Sequence, residues 1–209
     1  MNGFIVVFLM SNLRIAIIAE DNTDCQTVRK IVHRLLGTDI SIEMWGSNGC
    51  PMLKRKLTAH LETLSRKGCN VFIIVHDLDR NPQNSSLNDE SQLRKKLEEL
   101  TSSFQGIKHI CIPIEELEAW FWSDPEVIKH IGRGKGKAEA NPDKISKPKE
   151  KLIKLSEGEN GKARRYSVNK NVDLAAMLNL DICADRCPSF KELHTFLLDP
   201  LLGRKKLGS

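Results

Sequence analysis

IAIIAEDNTD occupies residues 15–24 and VFIIVHDLD occupies residues 71–79. In both stretches a run of aliphatic and β-branched residues stops at carboxylates, which are Glu20, Asp24, Asp77 and Asp79. Such an apolar run is typical of a buried strand in a parallel sheet. Because the carboxyl ends of parallel strands open into the crevice where α/β folds bind ligands, we expect these acids to converge. Converging carboxylates repel one another unless a cation lies between them, so the pattern predicts a divalent metal site.

The segments around these two stretches alternate between strand-like and helix-like periodicity. The pattern predicts strands over 13–19, 40–45, 70–76 and 107–113, and helices over 23–36, 51–67 and 90–104. The order βαβαβαβ is typical of an α/β fold of the Rossmann-like kind, in which helices cover both faces of a mostly parallel sheet.

Beyond residue 113 the pattern changes to short helical segments. Helices are predicted over 115–122, 125–131, 149–155, 172–178 and 190–198. Glycine, proline and charged residues dominate residues 132–147, which predicts a flexible basic loop. We therefore divide the chain into an α/β core, residues 1–113, and a helical extension, residues 114–209, that packs on the core.

The acids at the strand ends suit Mg²⁺ or Mn²⁺, because these cations prefer oxygen ligands. Asp77 and Asp79 are two residues apart, which places them on one face of a regular strand, and we assign both as metal ligands. Glu20 either binds the same ion or accepts a proton from the attacking water. Asp24 follows one helical turn later and is expected to complete a second metal position.

Glu115 and Glu118 lie three apart, on one face of the predicted helix that begins after Pro113. If strand 107–113 delivers them to the sheet edge, they are candidates for ligands of a second metal ion. The structural alternative is one capping glutamate and one that faces solvent, with the apolar residues between them anchoring the helix.

Positive charge is concentrated in the C-terminal half of the chain. The net charge is +5, and we expect a set of basic residues to contact nucleic acid: Arg133, Lys135, Lys137, Lys147, Lys149, Arg164 and Arg165. Lys147 and Lys149 are also candidate catalytic cations, because a fixed positive charge stabilises negative charge that develops on a reacting phosphate. The alternative is a solvated loop with no ligand.

The cysteines and the N-terminal segment provide information on the cellular location of the protein. The 6 cysteines are scattered and form no CxxC pair, which favours reduced thiols and a cytoplasmic protein over a disulfide framework. The apolar run at 5–10 is too short to span a bilayer and has no basic flank of a secretory signal, so no membrane association is expected.

The acidic motifs resemble those of the Toprim domain, the metal-binding module of topoisomerases, bacterial primases and the overcoming-lysogenisation-defect (OLD) nucleases. Its signature is a strand ending in Glu with an acid four residues later, as in residues 20–24, and a later strand ending in Asp-x-Asp, as in residues 77–79. The usual pattern has Gly after the glutamate, where this chain has Asp21. The stretches 112–125, 147–149 and 187–190 are similar to those of small stand-alone prokaryotic Toprim-like proteins, often associated with mobile elements and phage defence.

This resemblance implies a nuclease that hydrolyses phosphodiester bonds of DNA or RNA with Mg²⁺ or Mn²⁺, with Glu20, Asp77 and Asp79 at its centre. The rival is a binding module, in which the same acids hold metal and phosphate without turnover and activity resides in a separately encoded ATPase. The chain contains no GxxxxGK[ST] motif, so any ATP dependence comes from another chain. Asp21 in the place of glycine favours the rival, whereas the complete set of four acids favours the enzyme. The oligomeric state is left open.

Overall fold

The computed structural model describes residues 13–47, 49–81, 83–158, 163–199 and 202. The strands are β1 (Arg14–Ala19), β2 (Ser41–Gly46), β3 (Val71–Val75) and β4 (Ile107–Cys111). The helices are α1 (Asn22–Leu36), α2 (Cys50–Arg66), α3 (Glu90–Leu100), α4 (Pro125–Ile131), α5 (Pro148–Leu155), α6 (Asn171–Met177), α7 (Leu180–Arg186) and α8 (Pro188–Leu198). Short 3₁₀ helices cover Leu117–Ser123, Pro142–Lys144 and Val168–Lys170.

The four strands form a parallel sheet in the order β2-β1-β3-β4. The predicted α/β class is therefore confirmed, with helices flanking the sheet and a helical region after it. In β1 and β3 nearly every residue is buried, because helices cover both faces of these central strands. Ile18 pairs with Ile74, so both strands end at the same level, and the acids that follow them lie side by side.

Alternate residues of the strands enter two separate hydrophobic cores. Ile15 and Ile17 belong to a core that α1 shares with the helices of the C-terminal region, including Leu193 of α8. Ala16 and Ile18 belong to a second core, built with α2 and α3. This alternation follows from the two-residue period of a strand. One apolar core is thus continuous from β1 into the C-terminal region.

Three local features differ from the sequence prediction. The helix expected over 115–122 is a 3₁₀ helix that starts at Leu117, and Glu115 precedes it with a left-handed φ of 60°. Helix α7 was not predicted. The basic segment after α4 packs closely: the Glu139 amide donates to the Trp122 carbonyl, and a Cβ at Gly136 would lie 2.9 Å from Ile128 Cγ2.

Within the described ranges, we find no helix that combines the length and the apolar character needed to cross a bilayer. The apolar run at 5–10 lies outside those ranges.

Candidate functional site

Glu20 and Asp77 meet at the carboxyl edge of the sheet. β1 and β3 are neighbours, so Glu20, the residue after β1, lies beside the segment that follows β3. The Asp77 backbone amide donates to Glu20 Oε1 at 3.0 Å, and His76 Nδ1 lies 3.2 Å from the same oxygen. Both contacts fix the Glu20 carboxylate, whose side chain is 16% exposed.

The half-buried Asp77 carboxyl lies among other acids. Burial raises its pKa well above the ordinary value, and the charges of Asp24 and Glu20 raise it further, followed by those of Glu118 and Glu116. These acids come from the ends of β1 and β3, the first turn of α1 and the start of the 3₁₀ helix Leu117–Ser123. We define the acidic cluster as Glu20, Asp24, Asp77, Glu116 and Glu118.

Asp24 is held in the first turn of α1. Asp21 is the N-cap of this helix, and its carboxylate accepts a hydrogen bond of 2.9 Å from the Asp24 amide. Burial raises the pKa of Asp24 to about 8, helped by the charges of Asp21, Glu118 and Glu20. Such a group holds a proton that the approach of a cation would displace.

The glycine that the Toprim pattern places after the glutamate is not required here. Asp21 has φ −140°, an extended conformation that any residue adopts. The close approach of backbone segments occurs instead at Gly46, the last residue of β2, where a Cβ would lie 2.6 Å from the Asn22 nitrogen. Gly46 of the neighbouring strand thus leaves space for the turn between β1 and α1.

Glu118 is oriented by two buried polar residues from the C-terminal region. Asn171 Nδ2 donates to Glu118 Oε1 at 3.1 Å, and the Tyr166 hydroxyl lies 3.2 Å from the same oxygen and 2.9 Å from Asn171 Oδ1. Because the hydroxyl has one proton, it donates to one of these acceptors at a time. Burial, followed by the charge of Glu118, raises the pKa of Tyr166 above its usual range, so the hydroxyl stays protonated.

Lys149 supplies positive charge inside the cluster. Its Nζ lies 2.5 Å from Glu116 Oε1, and its backbone amide donates to Glu116 Oε2 at 3.2 Å. Burial alone would lower the pKa of this ammonium, but the bond to Glu116 and the charges of Glu118 and Asp77 raise it above its ordinary value. Lys149 therefore stays charged and neutralises part of the negative potential.

The donor set of the cluster suits a hard divalent cation, because every candidate ligand is a carboxylate oxygen. Among the described residues, no group of three or more His, Cys, Asp or Glu side chains is already arranged to hold a metal ion. Mg²⁺ in proteins is commonly bound through one or two carboxylates, with water and substrate phosphates as the other ligands. The cluster fits that mode of binding better than a closed cage of protein ligands.

Glu115 is not brought into the cluster. Its carboxylate accepts hydrogen bonds from Arg80 Nε at 2.7 Å and from Arg80 Nη2, and its other oxygen accepts from the Lys147 amide at 2.7 Å. The charge of this buried side chain is therefore balanced by an arginine. Glu115 and Glu118 do not share one helical face as expected, because Glu115 precedes the 3₁₀ helix.

Asp79 lies at the edge of the cluster. β3 ends at Val75, and Asp79 is exposed in the segment beyond the isolated bridge between Leu78 and Ile114. Together with His76 and Asp77 it lines a cavity that faces α2 and α3. Asp77 and Asp79 therefore share a cavity, and the charge of Asp79 acts on His76, which contacts Glu20.

The basic residues of the C-terminal region fall into two groups. The arginines are used in local contacts: Arg133 Nη2 donates to the Ala163 carbonyl, Arg165 Nη1 donates to the His130 carbonyl, and Arg164 pairs with Glu157 at 3.3 Å. Lys135, Lys137 and Lys147 are exposed. Of this predicted set, Lys149 pairs with an acid of the cluster.

A family model described as a domain of unknown function, DUF4276, matches residues 19–198. The chain belongs to this DUF4276 family. No curated protein and no solved structure matched in the other two comparisons. The segment shared with the DUF4276 family begins directly before Glu20, ends with α8 and includes the whole acidic cluster.

In this member of the DUF4276 family, four residues of the site were not among the predicted site residues: His76, Glu116, Tyr166 and Asn171. Glu116 lies between two predicted acids, and His76 directly precedes Asp77, so position in the sequence could have indicated both. Tyr166 and Asn171 contact Glu118 across sequence separations of 48 and 53 residues, and the sequence contains no signal for those contacts.

Proposed function

We propose that the chain is a divalent-metal-dependent nuclease of Toprim type that hydrolyses phosphodiester bonds of DNA or RNA. One observation carries the proposal: carboxylates from separate elements converge at the carboxyl edge of the sheet and raise the pKa values of Asp24 and Asp77. Carboxyls whose pKa values are raised by burial and by like charges cluster at functional sites.

Asp77, Asp24 and Glu118 are the candidate ligands of Mg²⁺ or Mn²⁺. A bound divalent cation neutralises charge on the phosphate and generates a nucleophilic water. Glu20, fixed by the Asp77 amide and His76, is placed to accept a proton from such a water, and Lys149 adds positive charge for a phosphate oxygen. Tyr166 and Asn171 act as positioning residues for Glu118.

Exposed lysines of the C-terminal region extend the proposal to nucleic acid. Lys135, Lys137 and Lys147 supply positive charge of the kind that neutralises a phosphate backbone. We also place the activity in the cytoplasm of a prokaryote, in phage defence or mobile-element biology. The buried free thiols of Cys25, Cys69, Cys111, Cys183 and Cys187 are compatible with a reducing compartment.

A cleavage assay tests the proposal. The purified chain is incubated with plasmid, linear duplex and single strands in Mg²⁺ or Mn²⁺, beside Asp77→Ala, Glu20→Ala and the control Asp173→Ala, which changes an acid that is 67% exposed on α6. We expect wild type and the control to cleave and both site variants to lose cleavage. Equal cleavage by all four proteins would identify a contaminating nuclease and remove the support for the proposal.

A binding module that serves a separately encoded ATPase is the second candidate. It is favoured by the ammonium of Lys149, which already balances part of the negative charge of the cluster. Such a site holds metal and phosphate without turnover. Metal-dependent binding of nucleic acid without product in the same assay would select this function over the nuclease.

A further inference from the structure

The edge strand β2 presents an exposed tryptophan beside the acidic cluster. Of the exposed large hydrophobic side chains in the described part of the chain, Trp45 is the aromatic one, and it is 36% exposed. Trp45 pairs with Ile18 of β1, two residues before Glu20, which places the Cα atoms of Trp45 and Glu20 about 8 Å apart. A ligand on this indole would therefore lie next to the cluster but outside it.

The indole of Trp45 is held from one side. Its ring stacks on His60 of α2, with centroids 4.1 Å apart and an angle of 29° between the planes. Burial, followed by the charge of Lys56, lowers the pKa of His60, so this imidazole is neutral at neutral pH. Because β2 is an edge strand, no further strand of the described chain places side chains against the outer side of the indole. Trp45 is thus fixed on one face and open to a flat partner on the other.

The side chains around Trp45 carry net positive charge. Glu43 lies two residues earlier on the same face of β2, and its carboxylate pairs with Arg14 at 2.9 Å and with Lys67 at 3.2 Å. The bonds from these two cations lower the pKa of Glu43, so one charged acid is opposed by two cations. Lys56 adds an exposed ammonium beside the stacked rings. The patch formed by Trp45, Arg14, Lys56 and Lys67 therefore favours a polyanion without any metal ion.

An aromatic ring among cations is the combination that binds single-stranded nucleic acid. Bases of any sequence stack on aromatic side chains, while cations neutralise the phosphates between them. In a duplex the bases stack on one another, so their faces are not available to an indole. A single exposed apolar side chain is ordinary on a protein surface. The stacked ring, the surrounding cations and the position beside Glu20 together distinguish Trp45 from Leu87 and Met177.

We infer that Trp45 is a stacking platform for a base of a single-stranded nucleic acid. The phosphates next to that base contact the cations of the patch, Arg14, Lys56 and Lys67. The inference rests on the proposed function for the role of the acidic cluster, and it deepens that function by specifying a single strand as the substrate. Binding of the strand depends on the patch and requires no metal ion.

Binding is measured in chelator, where a metal-dependent enzyme cannot cleave. A labelled oligothymidine single strand is titrated with the full chain, and the fluorescence anisotropy of the label gives Kd. We expect Trp45→Ala to raise Kd about fivefold or more, as for loss of one stacked base. Trp45→Phe keeps an aromatic ring and should stay within about threefold of wild type. The control Met177→Ala removes an exposed apolar side chain of α6 and should leave Kd unchanged.

An abasic strand of the same length separates stacking from charge. It keeps the phosphates but lacks the bases, so Trp45→Ala should bind it as tightly as wild type does. Lys56→Ala should weaken binding of both strands alike, because it removes a contact to phosphate.

Tryptophan fluorescence reports on the platform directly, because Trp120 and Trp122 are only 0% and 8% exposed. The single strand should quench the fluorescence of wild type, since a base lies on the Trp45 indole. In Trp45→Phe the strand should bind without quenching. A duplex of the same length should give no quenching of wild type, and quenching equal to that by the single strand would contradict the assignment.

The outcomes separate this inference from the nuclease proposal. If the single strand binds through Trp45 in chelator but is not cleaved in Mg²⁺ or Mn²⁺, the platform stands and the nuclease fails. If nucleic acid is cleaved while Trp45→Ala binds the single strand with the Kd of wild type, the platform is wrong and the nuclease stands. Equal weakening by Trp45→Ala and Trp45→Phe would also overturn the platform. So would a dimer that Trp45→Ala dissociates in sedimentation without a change in Kd, because the patch would then bind a second copy.

Discussion

Glu115 and Glu118 are three residues apart and both are buried, yet their charges are balanced in opposite ways. Glu115 is paired with the charge of Arg80 and also accepts from the Lys147 amide. Among the described residues, Glu118 accepts hydrogen bonds from the neutral donors Asn171 and Tyr166, and its charge acts on Asp24, Asp77 and the nearby Lys149 ammonium. A carboxylate whose charge the fold neutralises serves stability, whereas one kept near other acids is available to a cation.

The largest expected effect is on Glu118. Glu118→Gln keeps the oxygen that accepts from Asn171 but removes one negative charge from the cluster. We expect metal-dependent cleavage to fall at least about a hundredfold, as for loss of a group that stabilises transition-state charge. The matched change Glu115→Gln should leave the rate within about threefold, less than 1 kcal/mol in barrier. Steady-state cleavage rates of both variants check this, and equal losses would contradict the distinction between the two glutamates.

For the free energy of unfolding, Glu115→Gln should have the larger effect and Glu118→Gln the smaller. Glu115→Gln replaces one of the two acceptor oxygens by an amide NH₂, which is a donor. This NH₂ then faces either the Arg80 guanidinium or the Lys147 N–H, which are also donors, so that hydrogen bond is lost. We expect the free energy of unfolding to fall by about 2 kcal/mol, the usual loss for a hydrogen bond to a charged group. Urea denaturation in chelator measures it. In chelator, Glu118→Gln should not lower the free energy of unfolding, because it removes repulsion between the acids of the cluster. If it lowers that free energy as much as Glu115→Gln does, Glu118 is a structural residue.

Glu115 and Glu118 also show where predictions from the spacing of residues in the sequence cease to apply. The three-residue spacing puts side chains on one face only inside a regular helix, but the 3₁₀ helix begins at Leu117 and Glu115 has φ 60°. The two-residue spacing of Asp77 and Asp79, by contrast, does bring both side chains to one cavity, because the pairing with the segment after β4 continues to Leu78 although β3 ends at Val75. A spacing rule thus holds beyond the end of an element only where the backbone pairing continues.

The sheet could be predicted because its signal is local. Continuous apolar runs define β1 and β3, and amphipathic periods define the helices between strands, so the adjacency of Glu20 and Asp77 follows from the order of parallel strands. Helix α7 was missed although its buried residues Leu180, Cys183 and Ala184 follow the three-and-four spacing of an amphipathic helix, because seven residues carry only one such repeat. Contacts of Tyr166 and Asn171 with Glu118 depend on tertiary packing, which no local pattern records.

The third prediction concerns the pH dependence of the free energy of unfolding. Asp24 titrates ordinarily near 3.8 but near 8 in the folded chain. Between those values the folded state holds a proton that the unfolded state has lost, so this group's contribution to stability falls as pH rises, by at most about 1.4 kcal/mol per pH unit. The Asp24→Asn variant has no carboxyl at this position, so it does not titrate there. We therefore expect the stability of Asp24→Asn relative to wild type, measured by urea denaturation in chelator, to increase from about pH 5 to about pH 7.5.

The control for that measurement is Asp173→Asn, whose acid is exposed and pairs with Lys170. Its stability relative to wild type should not change over the same range. A saturating concentration of Mg²⁺ should remove the slope assigned to Asp24, because a bound cation favours the charged carboxylate. A constant difference between Asp24→Asn and wild type in chelator would mean that neither burial nor the neighbouring acids raise the pKa of Asp24 in the folded chain.

The smallest expected effect concerns Tyr166, which distinguishes positioning from packing. Tyr166→Phe removes the hydroxyl near Glu118 but leaves the bond from Asn171, so we expect a loss of about 1 kcal/mol in the free energy of unfolding. Packing alone would produce the same loss, because Tyr166 is fully buried. Orientation of Glu118 predicts something more: the Kd for Mn²⁺, measured by calorimetry, should rise by up to about tenfold, as for loss of an outer-shell hydrogen bond. If the variant is destabilised while its Mn²⁺ affinity equals that of wild type, Tyr166 belongs to the core and not to the site.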